Sequence, residues 1–236
     1  MKIAAWSGPR NLSTALMYSF AQHPDFCVFD EPFYGAYLAE TDSVHPMQSD
    51  ILASQSHDPK QVIEQFETAT TQHTYLKLMT HHHLNAVPED WFNDTAHLFL
   101  IRHPARVLAS YDEKRDNPTL ADIGFTQQAK IFQRIQDAGH KYAVIDAADI
   151  RADPQTMLPK LCEALGVIFD DAMLSWSAGP KPYDGVWASH WYNAVHKSTG
   201  FSAETKPLPI VKPELQKVLA AAMGIYTELA AFKLKP

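Results

Sequence analysis

Residues 7–14 read Ser-Gly-Pro-Arg-Asn-Leu-Ser-Thr and directly follow the apolar run 2–6. A strand, a turn holding Gly8, Pro9 and Arg10, and hydroxyls at a helix start gather free backbone N–H groups and the positive end of the helix dipole at one point. That is anion-binding chemistry, although a Ser or Thr cap after a strand is also ordinary helix-starting chemistry. A Walker A loop for ATP requires GxxxxGK[ST]; Gly8 is followed by no Gly-Lys-Ser/Thr, and Arg10 takes the basic position.

Three further groups carry chemistry. Arg102 closes the run 97–101, and Ser110 lies eight positions later in the following helix, so that a guanidinium fork and a hydroxyl can grip one phosphate; capping a carboxylate and facing solvent is the plain alternative. Glu31 sits just past the run 26–30 and is followed by Pro32, which is expected to hold it extended and to stop a helix from starting there. A carboxylate in that place serves as a general base or interacts with the dipole of the next helix. His81 opens the triplet His81-His82-His83, which reads as a solvated loop or places His81 as a base or substrate contact, neutral imidazole being a competent base near neutral pH. Three adjacent histidines also suggest a metal, but consecutive side chains diverge and no cysteine or carboxylate cluster completes a ligand set.

These residues need a scaffold that brings strand ends together. Runs at 2–6, 26–30, 74–79, 97–101 and 142–146 read as buried strands, and the helical patterns fall at 13–22, 59–72, 104–113, 125–138, 154–166 and 213–231. Near-continuous apolarity suits a mostly parallel sheet covered on both faces, and right-handed crossovers make it a three-layer α/β sandwich of about five strands. Ligands bind beyond the carboxyl ends of such strands, where the loop at 7–14, Glu31, His81 and Arg102 all fall. The polar stretch 40–58 and the aromatic-rich stretch 176–201 read as functional loops at an acceptor site or lid. In the latter, Trp187, Trp191 and Tyr192 line an acceptor pocket or pack the loop.

With 236 residues and no compositional break, the chain reads as one domain over 1–236. A formal charge of −7 argues against a nucleic-acid or anionic-membrane surface, so any anion site is a local pocket. Cys27 and Cys162 stand in apolar contexts and read as buried, reduced thiols, which fits the cytoplasm. No run reaches the length of a membrane span, and the few apolar residues before Ser7 are too short for a signal-peptide core, so the mature chain is expected to start at Met1.

The pairing of a strand–PRxxxT–helix loop with a strand–R–x7–S–helix segment resembles the sulfotransferases that use 3′-phosphoadenosine 5′-phosphosulfate (PAPS). The resemblance is best over residues 1–35 and 74–112. It implies a P-loop nucleotide-hydrolase-like fold and transfer of a sulfuryl group to a hydroxyl of a small-molecule acceptor, with no metal and no nucleic-acid or membrane partner. It also implies that Gly8, Pro9, Arg10, Asn11, Leu12, Ser13 and Thr14 cradle the phosphosulfate and that Arg102 and Ser110 hold the 3′-phosphate. Lys197, with Gly200, resembles the late basic-Gly segment that touches the same phosphate. Arg10 would stabilise charge in the transition state. Glu31 matches the base of the tyrosine-sulfating branch and of a bacterial trehalose-sulfating group, whereas Thr80 and His81 match the Lys-Thr-His segment of the cytosolic branch, its Lys displaced to Lys77. Asn11 and Leu12 stand where many members carry Ser-Gly, and Ala15 where cytosolic members carry an adenine-stacking Trp. Two other readings compete: a P-loop nucleotide or small-molecule kinase, and a 3′,5′-bisphosphate-binding module without catalysis. The acceptor and the oligomeric state are not written in the sequence.

Overall fold

The computed structural model of the chain describes residues 1–113, 117–203 and 206–236. Its five strands are β1 (Lys2–Ser7), β2 (Phe26–Asp30), β3 (His73–Met79), β4 (Thr95–Ile101) and β5 (Tyr142–Asp146). They pair in the order β2-β3-β1-β4-β5, every pair parallel. Strand order reverses at β1, between β3 and β4, and the crevice of such a sheet opens beyond that point.

Alternation along the strands explains why they read as continuous apolar runs. Ile3, Ala5, Leu98 and Leu100 join one core cluster, with Leu16 and Phe20 of α1 (Ser13–Phe20). Ala4, Trp6, Phe99 and Ile101 join a second on the other face. That second cluster takes side chains from α4 (Pro59–Glu67), α6 (Phe125–Asp137) and α10 (Gln216–Ala230). Leu158, Leu161 and Leu165 of α8 (Pro154–Leu165) cover the first face. Both faces are covered, and three layers result.

Helix starts follow local chemistry. Asp58 and Asp153 cap α4 and α8 ahead of a proline at the first helical position, and His103 does the same for α5 (Pro104–Asp112). Two expected helices end early, α1 at Phe20 and α4 at Glu67. In the latter, the Thr68 hydroxyl bonds back to the Glu64 carbonyl at 2.7 Å and the Thr71 hydroxyl bonds the His73 carbonyl at 2.9 Å, which draws the chain into β3.

The stretch expected as the loop 40–58 contains α3 (Gln48–Ser54), preceded by α2 (Tyr34–Glu40). The stretch 176–201 holds the short α9 (Ala188–Trp191) and a 3-10 turn at Val195–Lys197. Both stretches share one apolar cluster, in which Leu38 and Ile51 meet Trp187 and Tyr192. A further helix, α7 (Ala147–Ala152), follows β5 at once, capped by Asp146. Cys162 is buried, its thiol pushed up to about 12 by that burial, whereas Cys27 is only half-buried; both are unpaired. Among the described residues no helix is long and apolar enough to cross a membrane.

Candidate active site

Beyond the carboxyl end of β1 lies a cavity of about 300 Å³, lined on one side by residues 9–15. Gly8 has a steric reason: a Cβ there would stand 2.1 Å from the Ile123 carbonyl oxygen, so only glycine lets the two backbones approach. Arg10 and Leu12 both sit in the left-handed region, at φ 64° and 73°. Two non-glycine residues in that region within three positions mark a loop whose shape is imposed by its surroundings.

Hydroxyl capping of α1 does not occur. Leu12 is the cap residue and supplies no side-chain bond, while Ser13 and Thr14 fall within the first turn. The first amides of the helix are thereby left for a ligand rather than a side chain. Asn11 is fully buried, lines the cavity, and has no partner for either its Oδ1 or its Nδ2. An orphaned buried amide at the end of an uncapped helix fits a polar, anionic guest.

Arg102 and Ser110 meet this loop. Arg10 Nε donates to Ser110 Oγ at 2.9 Å, and Arg102 Nη1 donates to the Arg10 carbonyl at 2.8 Å. Burial, with Arg102 nearby, pulls the Arg10 guanidinium below its ordinary value. Two like charges are held together by neutral oxygens, an arrangement that a phosphate or sulfate dianion relieves.

Glu31 and His81 line the same cavity, together with His45, His82, Trp191 and Tyr192. Glu31 is not extended as expected from Pro32; its φ is 46°, its N–H donates to the Lys77 carbonyl at 2.9 Å, and α2 begins at Tyr34. Its carboxylate accepts from Lys77 Nζ at 2.5 Å. Burial pushes Glu31 up, Lys77 pulls it back and Asp30 pushes again, leaving the carboxyl above its ordinary value. Burial alone would lower Lys77, but Asp30 and Glu31 outweigh it and hold the ammonium above its ordinary value. His82 stacks on Tyr34 with ring centroids 4.2 Å apart, and burial keeps it far below its ordinary value and neutral. Of the three histidines, expected to diverge, His81 and His82 stay together on the cavity with ring centroids 4.3 Å apart, and His83 alone turns away, to Glu89 at 2.9 Å; among the described residues no group of three or more His, Cys, Asp and Glu gathers at metal-binding spacing.

Lys197 is exposed and does not line the cavity; Val195, Ser198 and Gly200 around it do. The basic group on that side is Arg151 of α7, whose Nε donates to the Ser202 carbonyl at 2.7 Å. Sequence reasoning missed Arg151, although the strand-end rule that found Arg102 applies equally to the turn after β5. It also missed Tyr34, His45 and Tyr111, which carry no motif.

A parallel sheet with a cavity beyond its switch point defines a P-loop-like α/β architecture. The family model described as Sulfotransferase domain matches residues 1–233, and the chain belongs to that family. Solved structures agree on the fold. A sulfotransferase domain from the Synechococcus PCC 7002 olefin synthase aligns over 100% of this chain and 96% of its own at TM-score 0.53 and 19% identity. One from the curacin biosynthetic pathway aligns over 94% and 96% at TM-score 0.59 and 18% identity. A sulfotransferase from Alicyclobacillus acidocaldarius aligns over 98% and 96% at TM-score 0.58 and 15% identity. Two curated proteins of Arabidopsis thaliana, branched-chain-amino-acid aminotransferase-like proteins 1 and 2, are 38% and 37% identical over 206 residues, 86% of this chain. The chain spans only 37% of the length of either, so their names describe proteins much larger than the matching region.

Proposed function

We propose that this enzyme moves the sulfuryl group of PAPS to a hydroxyl of a small-molecule acceptor. The observation that carries the reading is the convergence of Arg10, Ser110 and Arg102 on one loop, in a cavity that Glu31 also lines. PAPS supplies an activated sulfur and a bisphosphate leaving group. The acceptor oxygen forms a bond to sulfur as the bond from sulfur to the bridging phosphate oxygen breaks. The acceptor proton passes to Glu31, with His81 as the other base within the cavity. Arg10 and the amides at the start of α1 neutralise charge that grows on the bridging and sulfuryl oxygens, while Arg102 and Ser110 hold the 3′-phosphate; positioning and charge stabilisation do the remainder. Two free thiols fit a reducing compartment, and we assign the protein to the cytoplasm.

Calorimetric titration with adenosine 3′,5′-bisphosphate, and separately with ATP and Mg²⁺, tests the reading. Binding of the bisphosphate that an Arg102→Ala, Ser110→Ala double variant weakens at least tenfold is the expected result. Binding of ATP alone, or of neither, would overturn it, and ATP alone would favour a kinase.

A further inference from the structure

Behind Glu31 lies a buried polar knot that the proposed chemistry does not yet use. Lys77 Nζ donates to Glu31 Oε1, to Asp30 Oδ1 at 2.8 Å and to the Tyr192 hydroxyl at 2.6 Å. The Tyr192 hydroxyl lies 2.8 Å from both Asp30 oxygens, and Trp187 Nε1 donates to it at 3.1 Å. The Gly185 N–H donates to Asp30 Oδ2 at 3.0 Å. The side chains of Lys77 and Asp30 are each 1% exposed. A lysine sealed in this way between two adjacent carboxylates is an expensive arrangement to bury, and it is balanced only while every partner is in place.

Its geometry is asymmetric at Glu31. Oε1 accepts from Lys77, while His82 Nδ1, an ionisable neighbour of Oε2, lies at 3.8 Å and beyond hydrogen-bond reach; the Tyr192 hydroxyl also faces the carboxyl. One carboxylate oxygen is anchored and the other is left to work, on a side chain that lines the cavity. The knot also reaches across the fold: Asp30 ends β2 and Glu31 follows it, Lys77 lies on β3, and Tyr192 and Gly185 belong to the segment around α9.

We propose that Lys77 is a positioning residue for sulfuryl transfer: its ammonium grips Oε1 of Glu31 and so turns Oε2 to the acceptor hydroxyl, while Asp30 and Tyr192 lock the ammonium and fasten segment 185–192 over the site. The inference rests on the reading of Glu31 as the base. It makes Lys77 the switch that keeps Glu31 ionised and Asp30 an opposing charge that makes Glu31 more basic. The groups facing Glu31 are Asp30 from β2, Lys77 from β3, His82 from the turn after β3, Tyr34 from α2 and Tyr192 from the segment after α9. Of these, His82 is neutral and both tyrosines are held protonated by burial, so Lys77 and Asp30 set the balance.

The test follows the Glu31 carboxyl directly, with no acceptor required. Protein carrying glutamate labelled with ¹³C at the carboxyl carbon is titrated by NMR in the wild type, Lys77→Met, Lys77→Arg and Asp30→Asn, with Glu31→Gln assigning the signal. Lys77→Met should move the Glu31 titration up by about one to three pH units, Lys77→Arg should return it most of the way, and Asp30→Asn should move it down. Opposite shifts from two neighbours in one knot are not the signature of general loosening, and Asp30→Asn answers the question even where Lys77→Met fails to fold. A Glu31 titration unmoved in Asp30→Asn and in every folded Lys77 variant would overturn the inference. Bisphosphate affinity measured on the same samples separates the two layers: no binding by the wild type removes the proposed function itself, whereas normal binding with an unmoved titration removes only the role of Lys77.

Discussion

Arg102 donates to the backbone carbonyl of Arg10 at 2.8 Å across 92 positions of sequence, so the residue that would hold one phosphate also fixes the turn that would hold the other. The Arg10 side chain then swings to Ser110, the second member of the distant pair. The two proposed anion sites are therefore one mechanical unit, and a substitution in either should be felt in both.

Arg10 nevertheless has a separable role. With its guanidinium next to the loop, Arg10→Ala should lower the turnover number by about 10²–10³-fold, the scale found on removing one preorganised donor to a developing charge. Adenosine 3′,5′-bisphosphate, which lacks the sulfuryl group, should bind the variant within about tenfold of the wild type. Steady-state kinetics beside calorimetry decides the matter, and equal losses in both would count against a transition-state role for Arg10.

For the proposed base, Glu31→Gln keeps shape and hydrogen-bonding capacity but cannot accept the acceptor proton. Transfer should drop by about 10²–10⁴-fold while bisphosphate affinity changes less than about twofold. His81→Ala, measured alongside, should cost much less. A reversed order, with His81→Ala silent in binding but dead in turnover, would move the proton to the imidazole.

The fold was legible because its five strands are buried on both faces: Trp6 and Ile3 point to opposite cores, and alternation vanished into the unbroken apolar runs that burial on two sides imposes. That residues 9–15, Glu31 and Arg102 would meet at one cavity was legible because parallel sheets gather their strand ends. Local geometry was less so. Pro32 suggested an extended Glu31, but the bond from Glu31 N–H to Lys77 and the buried ion pair hold it at φ 46° against that preference. Lys197 stood out through its neighbouring glycine, yet the turn at Val195–Lys197 leaves it exposed, and Arg151 takes the cavity side. Long-range partnerships such as Lys77 with Tyr192, 115 positions apart, leave no local mark in a single sequence.

Gly8 carries a steric prediction. Its close neighbour Gly124, at φ 72°, would itself place a Cβ 2.6 Å from Thr80 Oγ1 and 3.2 Å from the Gly8 Cα, so the two glycines seat the turn at Ile123 and Gly124 against the loop after β1. Gly8→Ala must push the Ile123 carbonyl away by more than an ångström. Overpacking of that kind costs about 1–3 kcal/mol, and the displaced turn should weaken bisphosphate binding at least tenfold. Urea unfolding and calorimetry read the two effects; a variant with native stability and native affinity would show that the contact at Ile123 does not govern the loop.

His97 on β4 gives the chain a built-in sensitivity to acid. Its Nδ1 accepts from Trp6 Nε1 at 3.1 Å, which requires the neutral ring, and it packs edge-on against Phe92 with centroids 4.9 Å apart. Burial depresses it to about 3, with the Phe92 backbone and Glu89 opposing the shift and His140 and His83 adding to it. In the unfolded chain it titrates near its ordinary value of about 6.5. The depressed group therefore contributes stability that is fully present above about pH 6.5 and is lost as pH falls towards 3, because the unfolded state binds the proton first. Between about pH 7 and about pH 5 the wild type should lose about 2 kcal/mol from this residue alone. His97→Gln keeps an acceptor for Trp6 but does not titrate, so its stability should fall less over the same interval by that amount. Urea unfolding of both proteins at the two pH values makes the comparison, and identical losses would assign the acid sensitivity to another buried group, His82 first among them.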